Sequence, residues 1–319
     1  MFNKYWREYP IGLQVLLLML MFFTMFSAAL VFSNLLTPMI TGVPATEILA
    51  LSADSPANTA EAFKLFQLIS NLTMFGGTAF LYAYASNPKP AKYLGFRKVG
   101  NPLLVVIALV MALAFMPIVL QLGQWISELN FSSSATASHE RTTVVMKKLM
   151  ENSSVGSLLF TLLVLAVTPA FAEELFFRGI VMRFFHKRTQ NLAFAVFMSA
   201  GLFALFHFSV YNLLPIFIMG MILGYVYYYT GSIWVSIMVH FVNNGLQIVV
   251  THLANVGVIP ASVAEEDSFA WYILVVATGV AIAFFVLLKK KATPLPPGWS
   301  SDFTVQELEQ KLKDLNDRQ

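Results

Sequence analysis

Residues 171–179 read FAEELFFRG, placing two adjacent glutamates and an arginine between the apolar run LLFTLLVLAVTPA and the segment IVMRFF. Near the centre of a membrane-crossing helix one such charge costs about 2.5–3.5 kcal/mol on insertion scales, so Glu173, Glu174 and Arg178 need a compensating purpose. Two more polar clusters follow in apolar surroundings: FALFH ends at His207, and HFVNN holds His240, Asn243 and Asn244. These residue types support several chemistries. A carboxylate in a low-dielectric cavity is a stronger base toward water than one in bulk solvent. An imidazole N–H and an asparagine NH2 can stabilise a developing oxyanion, at roughly 2.7–4 kcal/mol per donor. Two histidines and a glutamate can also hold zinc with one position left for water, and a chain of Glu and His can relay protons.

Helical spacing divides the labour. Glu174 and Arg178 are i,i+4, share a face and can neutralise each other. Glu173 lies about 100° around the helix from Glu174, free to face something else. Phe203 and His207 are also i,i+4, as are His240 and Asn244. Three helices thus offer polar faces to one interior. Taken singly, each feature has a plainer reading: a Glu–Arg pair as packing glue, a histidine as a packed and hydrogen-bonded group. Their coincidence within about 70 residues favours a site. His139, His186 and His252 lie in loops or at segment ends and carry no assigned role. Gly220 and Gly224 form a GxxxG that reads as close helix packing, and Asn71, Gly76 and Gly77 read as packing too.

The sequence signatures of metallo-, aspartyl and serine proteases are missing. There is no HExxH, since His139-Glu140 continues RTT in a loop, and no aspartate lies in an apolar segment. Ser199, Ser209 and Ser236 lie near the histidines in sequence, but no GxSxG-like turn supports a serine nucleophile, and that chemistry would leave the glutamates unexplained.

The elements that carry these residues are membrane helices. The 319 residues are 57% hydrophobic and only 12% charged, about half the charge of a soluble domain. A formal charge of +3 gives no argument for nucleic acid, and the absence of cysteine removes disulfides, thiolate metal sites and cysteine nucleophiles. The expected fold is all-α and polytopic, with about eight membrane helices near 11–34, 65–86, 102–125, 155–185, 191–209, 212–230, 232–252 and 270–288. The first run is longer than a signal-peptide core of ~7–15 residues, and reads as a retained span. Basic residues cluster at Lys4/Arg7, 89–98, 183–188 and 289–291. With eight spans all four clusters fall on the cytoplasmic side, together with both termini. The loop 126–153 dissents with Arg141, Lys147 and Lys148, accompanied by Glu128, Glu140 and Glu151. After a Pro-rich joint, Thr304 with Glu307 fits a helix capping box, and Val305, Leu308, Leu312 and Leu315 form one apolar stripe.

At the three polar clusters the chain resembles a known family. EELFFR matches EExxxR, FALFH matches FxxxH and HFVNN matches HxxxN, in the order of the CAAX-protease and bacteriocin-processing (CPBP) family of intramembrane endopeptidases, with the type II CAAX prenyl endopeptidase fold. The resemblance covers about 155–250. It implies an eight-helix core opening toward the cytosol, and peptide-bond hydrolysis below the membrane surface. Carried over position by position, it makes Glu173 the catalytic carboxylate and His207 its partner in activating water. His240 and Asn244 would stabilise the oxyanion, with Glu174, Arg178 and Phe203 in support. The chain then divides into 1–153 (three membrane helices and loops), 154–252 (the protease-like core), 253–291 (the last membrane helix) and 292–319 (a cytosolic tail with a short amphipathic helix).

The resemblance implies a protein or peptide substrate in contact with membrane lipid, such as a prenylated C-terminal tail or a bacteriocin-like precursor, and no nucleic acid. A bacterial plasma membrane is the expected location. The cofactor is either none or a divalent metal such as zinc, for which Glu173, His207 and His240 are the candidate ligands. Family members are commonly labelled metalloproteases on that basis. A metal-free glutamate mechanism uses the same residues and is preferred, because His240 and Asn244 have an oxyanion role without metal. At ~1.5 Å per residue, Glu173 lies roughly 18 Å and His207 roughly 24 Å from the basic face, a mismatch that ordinary helix tilts of about 20° absorb. Two other readings stand beside the protease: a non-catalytic immunity-type membrane protein on the same fold, and a proton-coupled transporter, which the lack of an internal repeat disfavours.

Overall fold

The computed structural model describes residues 5–129, 131–151, 154–265 and 268–303, together with Glu307, Glu309 and Lys313. Among these residues the fold is all-helical, with no strand. Helix α1 spans Ile11–Thr41 and ends at Gly42 (φ +71°), whose N–H donates to the Pro38 carbonyl. Helix α2 runs over 57–86 and contains one wide π turn at Leu72–Gly77. Then come α3 (Leu103–Ser127), α4 (Ser133–Met150) and α5 (Val155–Thr189). Helix α5 carries two wide turns of its own, at Leu163–Val167 and Phe177–Val181. Helices α6 (Leu192–Leu205), α7 (Leu213–Thr230), α8 (Ile233–Asn255) and α9 (Trp271–Lys291) complete the bundle.

Among the described residues six helices, α1, α3, α5, α7, α8 and α9, are long and apolar enough to cross a membrane. The expected count of eight is therefore not confirmed. Helix α2 matches the second expected segment but is more polar, with Glu61, Lys64 and Asn71 along it. Helix α6 has 14 residues, about 21 Å at 1.5 Å per residue, short of a hydrocarbon core of ~30 Å. The bundle is apolar outside and polar within. Leu20, Phe23, Val31 and Leu35 of α1 and Val275, Val276 and Val286 of α9 are exposed, while Gln14, Lys64, Glu174, Arg178 and His240 are buried.

The expected GxxxG seam is present. A Cβ on Gly220 would lie 3.0 Å from the Ala200 Cβ, and one on Gly224 3.0 Å from Val196. Small residues at these two positions are what let α7 lie against α6.

The face carrying the basic clusters is closed by a strap of the chain at 293–302. Thr293 and Leu295 donate their N–H groups to Tyr229 and Tyr228. Arg183 donates to the carbonyls of Trp299 (2.5 Å) and Ser301 (2.7 Å), and Lys187 pairs with Asp302. Leu295, Trp299 and Ser300 are buried. The tail was expected as a helix; its capping box and apolar stripe rest on residues outside the described ones, Glu307 apart.

At the opposite face, much of the stretch expected as a loop is the amphipathic helix α4. Ser132 caps it, accepting from the Ala135 N–H at 3.3 Å. Arg141 donates to the Leu49 carbonyl, and Lys148 pairs with Glu151 at 2.8 Å, so two of the three dissenting basic residues have local partners. Thr136 bonds the Tyr211 hydroxyl at 2.9 Å and His139 stacks on its ring. These contacts tie α4 to the turn between α6 and α7.

Candidate active site

The site starts from the middle of α5. Pro169 brings no N–H to the carbonyl of Leu165, four residues back, and the helix is wound wide over Leu163–Val167. The freed Leu165 carbonyl accepts from Asn244 Nδ2 at 3.3 Å. A second wide turn follows at Phe177–Val181. Such turns recur at functional sites because each re-aims the side chains beyond it. The stretch between them, Thr168–Phe176, carries the two glutamates.

Glu174 is fully buried and fully engaged. Its Oε1 accepts from Arg178 Nη1 at 2.6 Å and lies 3.0 Å from His240 Nδ1; its Oε2 accepts from the Ser236 hydroxyl at 2.5 Å. Arg178 also donates to the Gly220 carbonyl at 2.9 Å, and its guanidinium lies 4.7 Å from the centre of the Phe203 ring. The i,i+4 pairing expected from the spacing is thus present. With the arginine neutralising it and two further donors around it, Glu174 is a fixed anion that orients its neighbours.

Glu173 faces elsewhere, as its position on the helix predicts. It is 8% exposed. Asn71 of α2 donates to its Oε1 at 3.0 Å, and its Oε2 lies 4.0 Å from His240 Nε2. No guanidinium or ammonium pairs with it among the described residues. His240 therefore stands between the two carboxylates, Nδ1 toward Glu174 and Nε2 toward Glu173. Asn244 lies one turn farther along α8, its Oδ1 accepting from Asn243 at 3.0 Å.

His207 lies in the turn that follows α6, exposed, with Nδ1 2.8 Å from the Phe203 carbonyl and its ring edge against the Phe203 ring. Among the described residues no hydrogen bond or ion pair joins it to Glu173. The next residue, Phe208, has φ +49°, a region that side-chain-bearing residues rarely occupy and that recurs at functional sites. The link from His207 to the carboxylates runs through Phe203, whose ring also meets His240 edge-on at 5.8 Å.

Glu173, Glu174, Arg178, Phe203 and His240 are thus gathered in one place, with Asn244 beside them and His207 one residue farther out. Two contributors escaped the motif reading. Ser236 lies one turn before His240 on α8, and Asn71 is a carboxamide in the second apolar segment, four residues after Gln67. The donor set does not fit a metal. Among the described residues no three His, Asp or Glu side chains group closely enough to ligate an ion, and Glu173, His207 and His240 do not converge. The metalloprotease reading gains no support from this arrangement.

Residues 155–246 match the family described as type II CAAX prenyl endopeptidase, Rce1-like, in agreement with the family read from the three motifs, all of which lie in this segment. Over 95 residues the chain is 34% identical to Uncharacterized protein YyaK of Bacillus subtilis (strain 168), covering 27% of this chain and 32% of that protein. The match thus spans about a third of that relative's length. No solved structure matches the chain. Its apolar helices and a membrane-protease domain make it an integral membrane protein.

Proposed function

We propose that the chain is an intramembrane endopeptidase in which Glu173 activates water for attack on a peptide carbonyl. The observation that carries this reading is the contrast between the paired glutamates. Glu174 is held by a guanidinium and spends both oxygens on fixed partners, whereas Glu173 has one neutral donor and turns its other oxygen toward His240. Glu173 takes one proton from water as the oxygen attacks the carbonyl carbon. The tetrahedral oxyanion forms near His240 and Asn244. Glu173 then returns the proton to the departing nitrogen as the C–N bond breaks, giving an acid and an amine.

The hydrogen bond to Glu174 constrains His240. If Nδ1–H is given to that carboxylate, Nε2 carries a proton only in the imidazolium form, so donation to an oxyanion uses the charged ring. Asn244 keeps one amide hydrogen beyond the one it gives Leu165. His207 is exposed in the turn before Phe208. The substrate class is a peptide or protein segment held at the membrane, either a prenylated tail or a bacteriocin-like precursor, and the location is a bacterial plasma membrane.

The test is cleavage of prenylated and unprenylated peptides by the purified full chain, native against Glu173→Gln, with and without chelator. Cleavage should fall about 100-fold or more in the variant, the scale of lost general-base catalysis, and should survive chelation. Rates unchanged in Glu173→Gln would remove the carboxylate from the mechanism. Loss on chelation with recovery on zinc would overturn the metal-free route. No cleavage by the native chain would favour the immunity or transport reading.

A further inference from the structure

We infer that Asn71, on a helix outside the segment matched to the protease family, belongs to the catalytic apparatus, setting the orientation of Glu173 and of the water it activates. The inference rests on the reading of Glu173 as the base.

Asn71 sits where α2 passes into the wide turn at Leu72–Gly77. That turn packs against the glutamate-bearing part of α5: a Cβ on Gly76 would meet the Ala172 Cβ at 3.6 Å, and Phe75 packs on Phe176 and Phe177 at 5.4 and 5.5 Å between ring centres. Within this contact Asn71 Nδ2 donates to Glu173 Oε1 at 3.0 Å. The bond leaves Oε2 directed at His240. A carboxylate with one oxygen gripped has lost its free rotation, which is the difference between a buried charge and an aimed base.

The other end of the same carboxamide supplies the second observation. Asn71 Oδ1 is buried and has no hydrogen-bond partner. A buried acceptor without a donor is costly, and such a group calls for an explanation of its own. Here the acceptor belongs to the same carboxamide that holds the proposed base. A water on Glu173 has two protons. Giving one to Glu173 and the other to Asn71 Oδ1 turns both of its lone pairs away from these two groups, so that one can face an arriving carbonyl carbon. Asn71 thus plays two parts through one planar group: its NH2 fixes the base and its oxygen fixes the nucleophile. No proton is transferred to Asn71 itself, so the balance of the hydrolysis is unchanged.

Packing alone would not need this residue. A structural carboxamide would be replaceable by leucine, which has nearly its shape and suits an apolar helix interface. The experiment therefore compares Asn71→Leu and Asn71→Asp with native full-length protein, following kcat, KM and thermal stability on a peptide that the native chain cleaves. Asn71→Leu should lower kcat about 10–100-fold, the worth of a hydrogen bond to a charged group, with KM within about twofold and a fall in melting temperature no larger than one lost hydrogen bond accounts for. Asn71→Asp keeps the shape but sets a second carboxyl against Glu173, so the two share a proton and the free base is lost; it too should be slower than native. In a Glu173→Gln background, Asn71→Leu should change the residual rate little, because both act on one water. Native kcat in Asn71→Leu overturns the inference, as does a loss explained wholly by lower stability. Full activity in Glu173→Gln would instead sink the reading of Glu173 as the base, so the two failures are separable.

Discussion

Removing the charge from Arg178 while leaving Glu174 intact tests the buried pair at the heart of the bundle. Arg178 is 1% exposed and Glu174 fully buried, 2.6 Å apart. In Arg178→Met the thioether can keep a contact with the Phe203 ring, so lost packing is small. The carboxylate keeps Ser236 and His240 but loses its counter-charge. Breaking one partner from a buried pair costs roughly 3–5 kcal/mol, because the remaining charge is stranded. At about 1.4 kcal/mol per tenfold, that is a drop of about 140- to 4,000-fold in the folded-to-unfolded ratio. Neutralising both partners strands nothing. Glu174→Gln with Arg178→Met should fall within about 1.5 kcal/mol of the native chain, since apolar or neutral replacements of buried pairs are often tolerated. The assay is unfolding by denaturing detergent in mixed micelles, read by near-UV circular dichroism, for both single variants and the double. Arg178→Met within about 1 kcal/mol of native, or a double variant no better than that single, would refute the argument that these charges are there in opposition.

Two other perturbations follow from the packing. Gly220→Ala should cost about 1–3 kcal/mol by overpacking, since its Cβ meets the Ala200 backbone at 3.1 Å and Phe203 at 3.2 Å; Gly279→Ala on α9, with nothing within 4 Å, is the control and should hold or raise the melting temperature. Arg183→Gln should release the strap at 293–302, because it removes the donors to Trp299 and Ser301; amide hydrogen exchange at Trp299 and Ser301 should speed up about 10–100-fold, as two charge-assisted bonds are lost, while the centre of α8 stays protected.

What the sequence made legible is what helical spacing alone determines. Glu174 and Arg178 had to share a face, Glu173 had to look elsewhere, and the polar residues of α8 had to lie one turn apart. What stayed hidden depends on how helices end and how they are wound. The apolar run at 191–209 continues past Leu205 through FHFSVYN, so hydropathy does not locate the end of α6, and the turn holding His207 reads as membrane helix. Helix α4 is the reverse case, a helix too polar for a span and therefore read as a loop, although Ser132 marks its start. The approach of Asn71 to Glu173 bridges 102 positions and depends on a wide turn that no residue pattern announces.

The matched segment supplies every motif residue, yet it does not enclose them. Phe22 of α1 and Phe75 of α2 pack on Phe176 of α5 at 5.3 and 5.4 Å, and both meet Phe206 at the end of α6. These rings wall one flank of the glutamates with apolar surface contributed from outside residues 155–246. The wall has an electrostatic consequence. Fixed dipoles and charges act more strongly where water and its screening are kept out, so the grip of Glu174 on His240 depends on helices that carry no motif. The same two helices bring Asn71 to Glu173. The polar cluster of α5 to α8 is therefore enclosed, and one of its carboxylates hydrogen-bonded, by residues of α1 and α2. A chain reduced to the matched segment would expose the aromatic face and lose the Asn71 donor to Glu173 at once, leaving the motif residues present but the Glu173 carboxylate without its hydrogen bond.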